Sequence, residues 1–375
     1  MIERRIYTIA TVFAILVLVV TVFVGGLASA QEPTSGYARP PSGADAQKWG
    51  GPAQVPATIV PQQNDPKVWR DIRFGIVGLV SIPDKQAGRL IQSRGVDWVS
   101  FRNVSVRTWG AWGLAAILAM LVVFFAVRGR IRIDSGPSDR TVERFNFLER
   151  FAHWLTAGSF IVLALTGLNM LYGRQVLIPV LGLDTFAVLT NVGKLAHSYL
   201  AFAFMGGIIL ILLLWVRHNL PDRTDLAWIA AGGGMLIKGA HPPARKFNFG
   251  QKMVFWIVVL GGISVTVSGL ALMFPFTLAL FGDSFAFANL FGFSLPTELT
   301  MMEEMQLSQV WHAIVGLILT IIIIAHIYIG SIGMEGAFAA MGSGQVDENW
   351  AREHHSLWFE ETAAEAAATE DKDVT

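Results

Sequence analysis

The sequence predicts an all-α membrane protein: a four-helix transmembrane bundle, one extra N-terminal transmembrane helix, and a signal or anchor segment ahead of it. Three observations carry this. Of 375 residues, 53% are hydrophobic and 15% charged, against about 25% charged in soluble domains. The mean hydropathy is +0.51. Several stretches exceed the roughly 18 apolar residues that cross a bilayer. The charges balance at 28 Lys+Arg and 28 Asp+Glu. That excludes a nucleic-acid binder working through net positive charge, and the apolar content excludes a mostly disordered chain. There is no cysteine, so disulfides, thiolate zinc sites, iron–sulfur clusters and thioether-linked haem are excluded. Any metal must be held by His, Met or oxygen.

The first apolar stretch, Ile6 to Leu27, follows the charged start Glu3-Arg4-Arg5 and ends at Ala28-Ser29-Ala30. Those small residues suit a cleavage site, so residues 1–30 read as a secretory signal, with an uncleaved anchor as the alternative. Seven of the 15 prolines lie between Pro33 and Pro66, which makes an extended linker. Residues 31–108 are read together as an exported Pro-rich linker and small segment. Five spans follow: 109–127, 151–171, about 195–216, about 253–274 and about 310–330. The first is the extra helix, residues 128–335 hold the four-helix core, and 336–375 form an amphipathic tail. Its end, Glu361–Thr375, is acidic and Ala-rich and reads as frayed.

Loops 128–150 and 217–252 each carry six Lys or Arg, loop 172–194 only Arg174 and Lys194, and loop 275–309 none. Positive charge stays on the cytoplasmic side. That places 128–150, 217–252 and the C-terminus in the cytoplasm and 31–108 on the far side of the membrane.

Four of the eight histidines lie in the apolar spans: His153, His197, His312 and His326. Ionisable groups there are costly and functional by default. His312 and His326 share one helix. Fourteen residues at about 1.5 Å each separate them by about 21 Å, and about 100° per residue leaves them within roughly 40° of one face. His197 opens its span from the far side and His153 from the cytoplasmic side. Depth therefore pairs His197 with His312 and His153 with His326. Two such pairs, each bridging two helices, suit two six-coordinate haems b. Zinc or copper fits less well, because the pairs lack carboxylate or thiol neighbours. Glycines at 158, 167, 206, 207, 261, 262 and 316 would let a ring approach the backbone or simply let helices pack. Arg150 and Lys194 each precede a histidine by three residues, which places a cation one turn nearer the interface. There it could meet a haem propionate or snorkel to water.

These residues resemble the cytochrome b (gamma) subunit of membrane-bound respiratory formate dehydrogenases over about residues 145–360. The carrying pieces are Phe147-Leu148-Glu149-Arg150-Phe151-Ala152-His153-Trp154, Gly193-Lys194-Leu195-Ala196-His197 and Arg217-His218-Asn219-Leu220-Pro221-Asp222. Lys246-Phe247-Asn248-Phe249-Gly250-Gln251-Lys252-Met253, the His312/His326 helix and Trp350-Ala351-Arg352-Glu353-His354-His355 complete them. The Asn-x-Gly-Gln-Lys piece is the most diagnostic. The resemblance implies two haems b in the pairing above. It implies a partner iron–sulfur subunit, a molybdenum- or tungsten-pterin subunit that oxidises formate, and electron delivery to a quinone such as menaquinone or ubiquinone. The quinone site implied lies at Asn248, Gly250, Gln251 and His326. Amides donate hydrogen bonds to a carbonyl gaining charge without burying a charge of their own, although Asn248 also suits a helix cap. With no cysteine and no pterin motif, this chain does not oxidise formate itself. Residues 1–128 fall outside the family core.

Related cytochromes of nickel–iron hydrogenases and thiosulfate reductases share the histidine pattern and remain an alternative. A transporter using membrane histidines would want broken helices and intramembrane carboxylates, which spans three to five lack at their centres. A bare membrane anchor is the third reading. His218, His241, His354 and His355 read as solvated or as partner contacts rather than metal ligands.

Overall fold

The structure, a computed structural model, describes residues 93–234, 239–274 and 277–373. The signal or anchor at 1–30, the Pro-rich linker and most of the small exported segment lie outside the described residues. The first described rod comprises α1 (Ser93–Ser100), a π-helical stretch (Phe101–Val106) and α2 (Arg107–Arg128), and it stops at Gly129, which takes a positive φ of 70°. The bundle helices are α3 (Phe147–Val176), α4 (Ile178–Trp215), α6 (Phe249–Met273) and α8 (Met301–Tyr328). Shorter helices α5 (Arg223–Ala230) and α7 (Leu280–Asn289) lie between them. The tail forms α9 (Ala339–Gly342), α10 (Glu348–His354) and α11 (Ser356–Asp373).

The starts of four helices are written in the sequence. Asn146/Glu149, Asp222/Asp225, Asn248/Gln251 and Thr300/Glu303 each form a reciprocal capping box at the heads of α3, α5, α6 and α8. Such boxes satisfy two otherwise orphaned backbone donors at once. Among the described residues five helices are long and apolar enough to cross a membrane: Asp97–Arg128, Phe147–Val176, Ile178–Asn219, Phe249–Met273 and Met301–Gly333. The fold is thus the expected bundle: α3 packs along α4, α6 joins α4 and α8, and α2 lies against α8 as the extra helix.

The loops expected at 172–194 and 275–309 are largely helical. Helix α4 begins at Ile178, kinked at Gly182, α7 fills part of the second loop, and α8 begins nine residues before the expected span. A hydropathy window ends where charge begins, whereas a helix ends where its hydrogen bonding is capped. Helix α3 approaches α4 closely where Gly207 faces Thr156: a Cβ there would stand 3.1 Å from the Thr156 backbone.

The arginine-rich end of the bundle carries a compact cap. Strands β1 (Thr141–Glu143) and β2 (Gln345–Asp347) pair antiparallel, tying the segment before α3 to the tail. Beneath them Phe145, Trp215, Phe247, Val346, Trp350 and Trp358 form one core. Arg144 is buried among them, its guanidinium 4.9–5.3 Å from the rings of Phe145, Trp350 and Trp358. It donates to the Lys246 carbonyl at 2.7 Å and to Nε2 of His355 at 2.9 Å. His355 in turn donates from Nδ1 to the Arg245 carbonyl at 2.8 Å.

The tail therefore corrects two expectations. His355, 1% exposed, is a core residue and not solvated, because a neutral imidazole can link a guanidinium to a carbonyl. The segment expected to fray from Glu361 is helical to Asp373, and Glu361 pairs with Arg245.

The cap makes the protein acid-sensitive. Burial pushes His354 down to about 4, with His241 and Arg144 adding repulsion that Glu353 and Asp134 partly offset. Burial and then Arg144 push His355 well below the usual 6.5. An unfolded tail would take up protons below about pH 6.5 while the folded cap resists until about 4, so its stability falls across that window. Amide protection factors of residues 345–358, corrected for the intrinsic exchange rate at each pH, should fall between pH 7 and 4.5. Unchanged protection there would refute this.

Candidate functional site

Each membrane histidine sits where its depth predicts a partner. His153 lies one and a half turns into α3 and His326 in the last turn of α8, and their ring centroids are 6.3 Å apart. His197 on α4 and His312 on α8 have centroids 6.1 Å apart. Metal–imidazole bonds run about 2.0–2.1 Å, and a ligating nitrogen stands about 1.1 Å from its ring centre. Two opposed imidazoles on one ion thus put their centroids about 6.3 Å apart, and both pairs meet that figure. Among the described residues no group of three or more His, Cys, Asp or Glu could hold a metal ion, which tells against zinc sites, for those use three or four protein ligands. Paired imidazoles fit the two axial positions of a haem. At Gly158, Gly206 and Gly316 an added Cβ would meet nothing within 4 Å. Gly207, Gly261 and Gly262 instead serve helix packing.

A cavity of about 660 Å³ opens from the His153/His326 pair toward the head of α6. Its walls include Trp154, Trp228, Asn248, Gly250, Gln251 and His354, a size in the range of ligand pockets. Asn248 caps α6: its Oδ1 accepts from the Gln251 N–H and the Gln251 Oε1 from the Asn248 N–H, each at 3.0 Å. The box uses the two carbonyl oxygens and leaves both amide NH2 groups as donors. Capping and ligand binding, competing readings of Asn248, are therefore compatible. Gly250 has a steric role, because a Cβ there would stand 3.0 Å from the Trp228 ring.

The two propionate candidates differ. Lys194 is exposed on α4, three residues before His197. Arg150 spends three groups on the carbonyls of Met341 (3.4 Å), Gly342 (2.9 Å) and Ser343 (2.9 Å), where it closes the end of α9. Only its remaining N–H groups could meet a propionate.

Sequence reasoning missed several residues that build this end. Glu149 is buried and accepts from Trp215 Nε1 at 2.9 Å and Lys246 Nζ at 2.6 Å. Lys252, 4% exposed, lies 3.0 Å from Asp222 and 2.9 Å from Asp225. It locks α5 to α6 and so holds Trp228 over the cavity. Burial alone would raise the Asp222 carboxyl, but hydrogen bonds from Thr224 and Lys252 outweigh that and hold it at about 2. The signal was the spacing of a lone lysine in the apolar head of α6 from two aspartates. Thr166 and Ser268, beside His197 and His312, were also missed.

Four apolar helices carrying two opposed imidazole pairs at two depths define the architecture of a membrane b-type cytochrome. The chain belongs to the prokaryotic cytochrome b561 family, whose model matches residues 144–344, just over half of the chain. It is an integral membrane protein that crosses the bilayer several times, in a family that binds haem b. It is 27% identical over 222 residues to the formate dehydrogenase cytochrome b556(fdo) subunit of Escherichia coli K12, an overlap of 59% of this chain and 93% of that one. It is 26% identical over 236 residues to the nitrate-inducible formate dehydrogenase cytochrome b556(Fdn) subunit of the same strain, covering 62% and 97%. With the formate dehydrogenase cytochrome b556 subunit of Haemophilus influenzae it shares 25% over 228 residues, covering 60% and 84%.

Proposed function

We propose that the chain is the di-haem b membrane subunit of a formate dehydrogenase complex, receiving electrons from an iron–sulfur subunit and delivering them to quinone near the cytoplasmic face. The pterin subunit that oxidises formate lies outside in this reading, and the positive-charge bias of the loops puts the His153/His326 end inside. In this reading residues 1–30 are the signal or anchor, 31–108 the periplasmic segment, 109–127 the extra span, 128–335 the di-haem core and 336–375 the cytoplasmic tail. The observation that carries the reading is the pair of His–His couples at ligand spacing, one of which opens on a large cavity lined by amide donors.

His197 and His312 would hold one iron and His153 and His326 the other. Bound there, the two haems supply one-electron carriers at two depths of the bundle. The chain's residues do the rest. Lys194 and the remaining donors of Arg150 would neutralise propionates. The NH2 groups of Asn248 and Gln251 would donate to a quinone carbonyl, orienting it and favouring charge on its oxygen. Trp228, fitted against Gly250, walls the pocket and keeps the ring close to His326.

The test is a reduced-minus-oxidised spectrum of the purified complex with a formate:quinone assay. Absence of b-type absorption would refute the reading. At the quinone end, Asn248→Ser keeps a good helix cap but removes the amide donor. It should raise the KM for quinone about tenfold, the roughly 1.4 kcal/mol of one hydrogen bond, with haem content unchanged. An unaltered KM would remove Asn248 from the site.

A further inference from the structure

The two halves of the bundle carry the same short pattern in the same place. Thr166-Gly167-Leu168 lies on α3 and Ser268-Gly269-Leu270 on α6. Thr166 Oγ1 is 2.8 Å from Nδ1 of His197 on α4, the following helix. Ser268 Oγ is 3.1 Å from Nδ1 of His312 on α8. The glycine after each hydroxyl gives the imidazole its room. A Cβ would stand 3.6 Å from His197 Cε1 at Gly167, and 3.2 Å from His312 Cε1 at Gly269. One hydroxyl thus serves each histidine of the same pair.

A hydroxyl has one proton and two lone pairs. The Thr166 proton has the Val162 carbonyl at 2.7 Å and the Leu163 carbonyl at 3.1 Å. The Ser268 proton has the Ser264 carbonyl at 2.9 Å and the Val265 carbonyl at 3.2 Å. With the proton given to the helix backbone, each oxygen accepts from the imidazole, so Nδ1 carries hydrogen and Nε2 presents its lone pair. The opposite arrangement would protonate Nε2 and block it as a ligand.

We infer that Thr166 and Ser268 are matched positioning residues, which lock His197 and His312 in the Nδ1–H tautomer and make both stronger donors to one haem iron. An acceptor on the far nitrogen raises the basicity of a ligating imidazole, and richer donation stabilises the oxidised metal. At the other pair, among the described residues, Nδ1 of His153 is buried without a hydrogen-bond partner. Removing either hydroxyl would therefore raise the potential of a haem held by His197 and His312 and leave one held by His153 and His326 unchanged. The inference rests on the di-haem reading.

The test is potentiometric titration of haem absorbance in the full-length protein with its partner subunits, for wild type, Thr166→Val, Ser268→Ala and Thr166→Ser. Each of the first two should raise one of two midpoint potentials, by about 59 mV for a tenfold change in the reduced-to-oxidised ratio. The other potential should stay, and Thr166→Ser should behave as wild type. Loss of a single haem in Thr166→Val but not in Thr166→Ser would also support the positioning role. Full haem content with both potentials unmoved, or both moved alike, would overturn it. A wild-type protein without b-type absorption would instead sink the di-haem reading beneath it.

Discussion

Replacing His326 with alanine should remove the haem at the arginine-rich end, halve the haem content and leave the other haem in place. A bis-imidazole site deprived of one ligand keeps only one bond from the protein to its iron, on α3 instead of on both α3 and α8. His326 stands fourteen residues from His312 on the same helix, about 21 Å along its axis, so the second site should not sense the change. The two sites then act as independent reporters of one another. Formate-dependent quinone reduction should fall more than about 100-fold, over about 2.7 kcal/mol of lost transition-state stabilisation. The last carrier before the cavity would be missing, and His326 itself lines that cavity. The complementary His312→Ala should remove the other haem and leave the cavity intact. Haem stoichiometry and the surviving midpoint potential check both variants. Loss of both haems from His326→Ala would show that the pairs are one cooperative unit. Loss of neither would remove His326 as a ligand.

The pairing was legible in the sequence because it needed only depth, and depth follows from helix rise and the hydropathy profile. The capping boxes at Asn146, Asp222, Asn248 and Thr300 are similarly local, since cap and partner lie three residues apart, but only Asn248 is expected as a cap. What escaped depends on distant segments meeting. His355 reads as a solvated tail residue until Arg144, more than 200 positions earlier, is laid beside it. Glu149, in a first helical turn, gains its role only when Trp215 and Lys246 close over it. The recurrence of a hydroxyl residue, glycine and leucine in two apolar spans was visible in the letters. Its meaning was not, because Thr166 and Ser268 reach histidines on neighbouring helices. Arg150 shows the reverse case: the spacing to His153 was correct, but carbonyls at the end of α9 already take three of its donors.

The largest stability effect should come from Lys252→Met. Lys252 is buried with its ammonium between Asp222 and Asp225, and Asp225 is itself 6% exposed. Both aspartates belong to the capping box of α5, so their positions are set by that helix and cannot relax toward water without unwinding its start. Removing the cation leaves the buried Asp225 without its ion-pair partner and Asp222 with only the Arg245 guanidinium, 3.9 Å away. Breaking a buried ion pair from one side costs about 3–5 kcal/mol, which should lower Tm by about 10 °C in a detergent-solubilised melt. The pH dependence supplies the signature. In the wild type Asp222 is held at about 2 against an ordinary 3.8, so its contribution is fully present above about pH 4 and is lost as pH falls through 2. In the variant the pull of Lys252 on Asp222 is gone, so burial raises that carboxyl toward and above its ordinary range, and acid relieves the strain by protonating it. The wild type and the variant should therefore differ most at neutral pH and converge below about pH 4. Adding Asp225→Asn to Lys252→Met should recover part of the loss at pH 7, because it removes the charge that the lysine neutralised. A gap that stays constant from pH 7 to 4, with no recovery in the double variant, would show that the lysine stem's packing, and not its charge, holds α5 against α6.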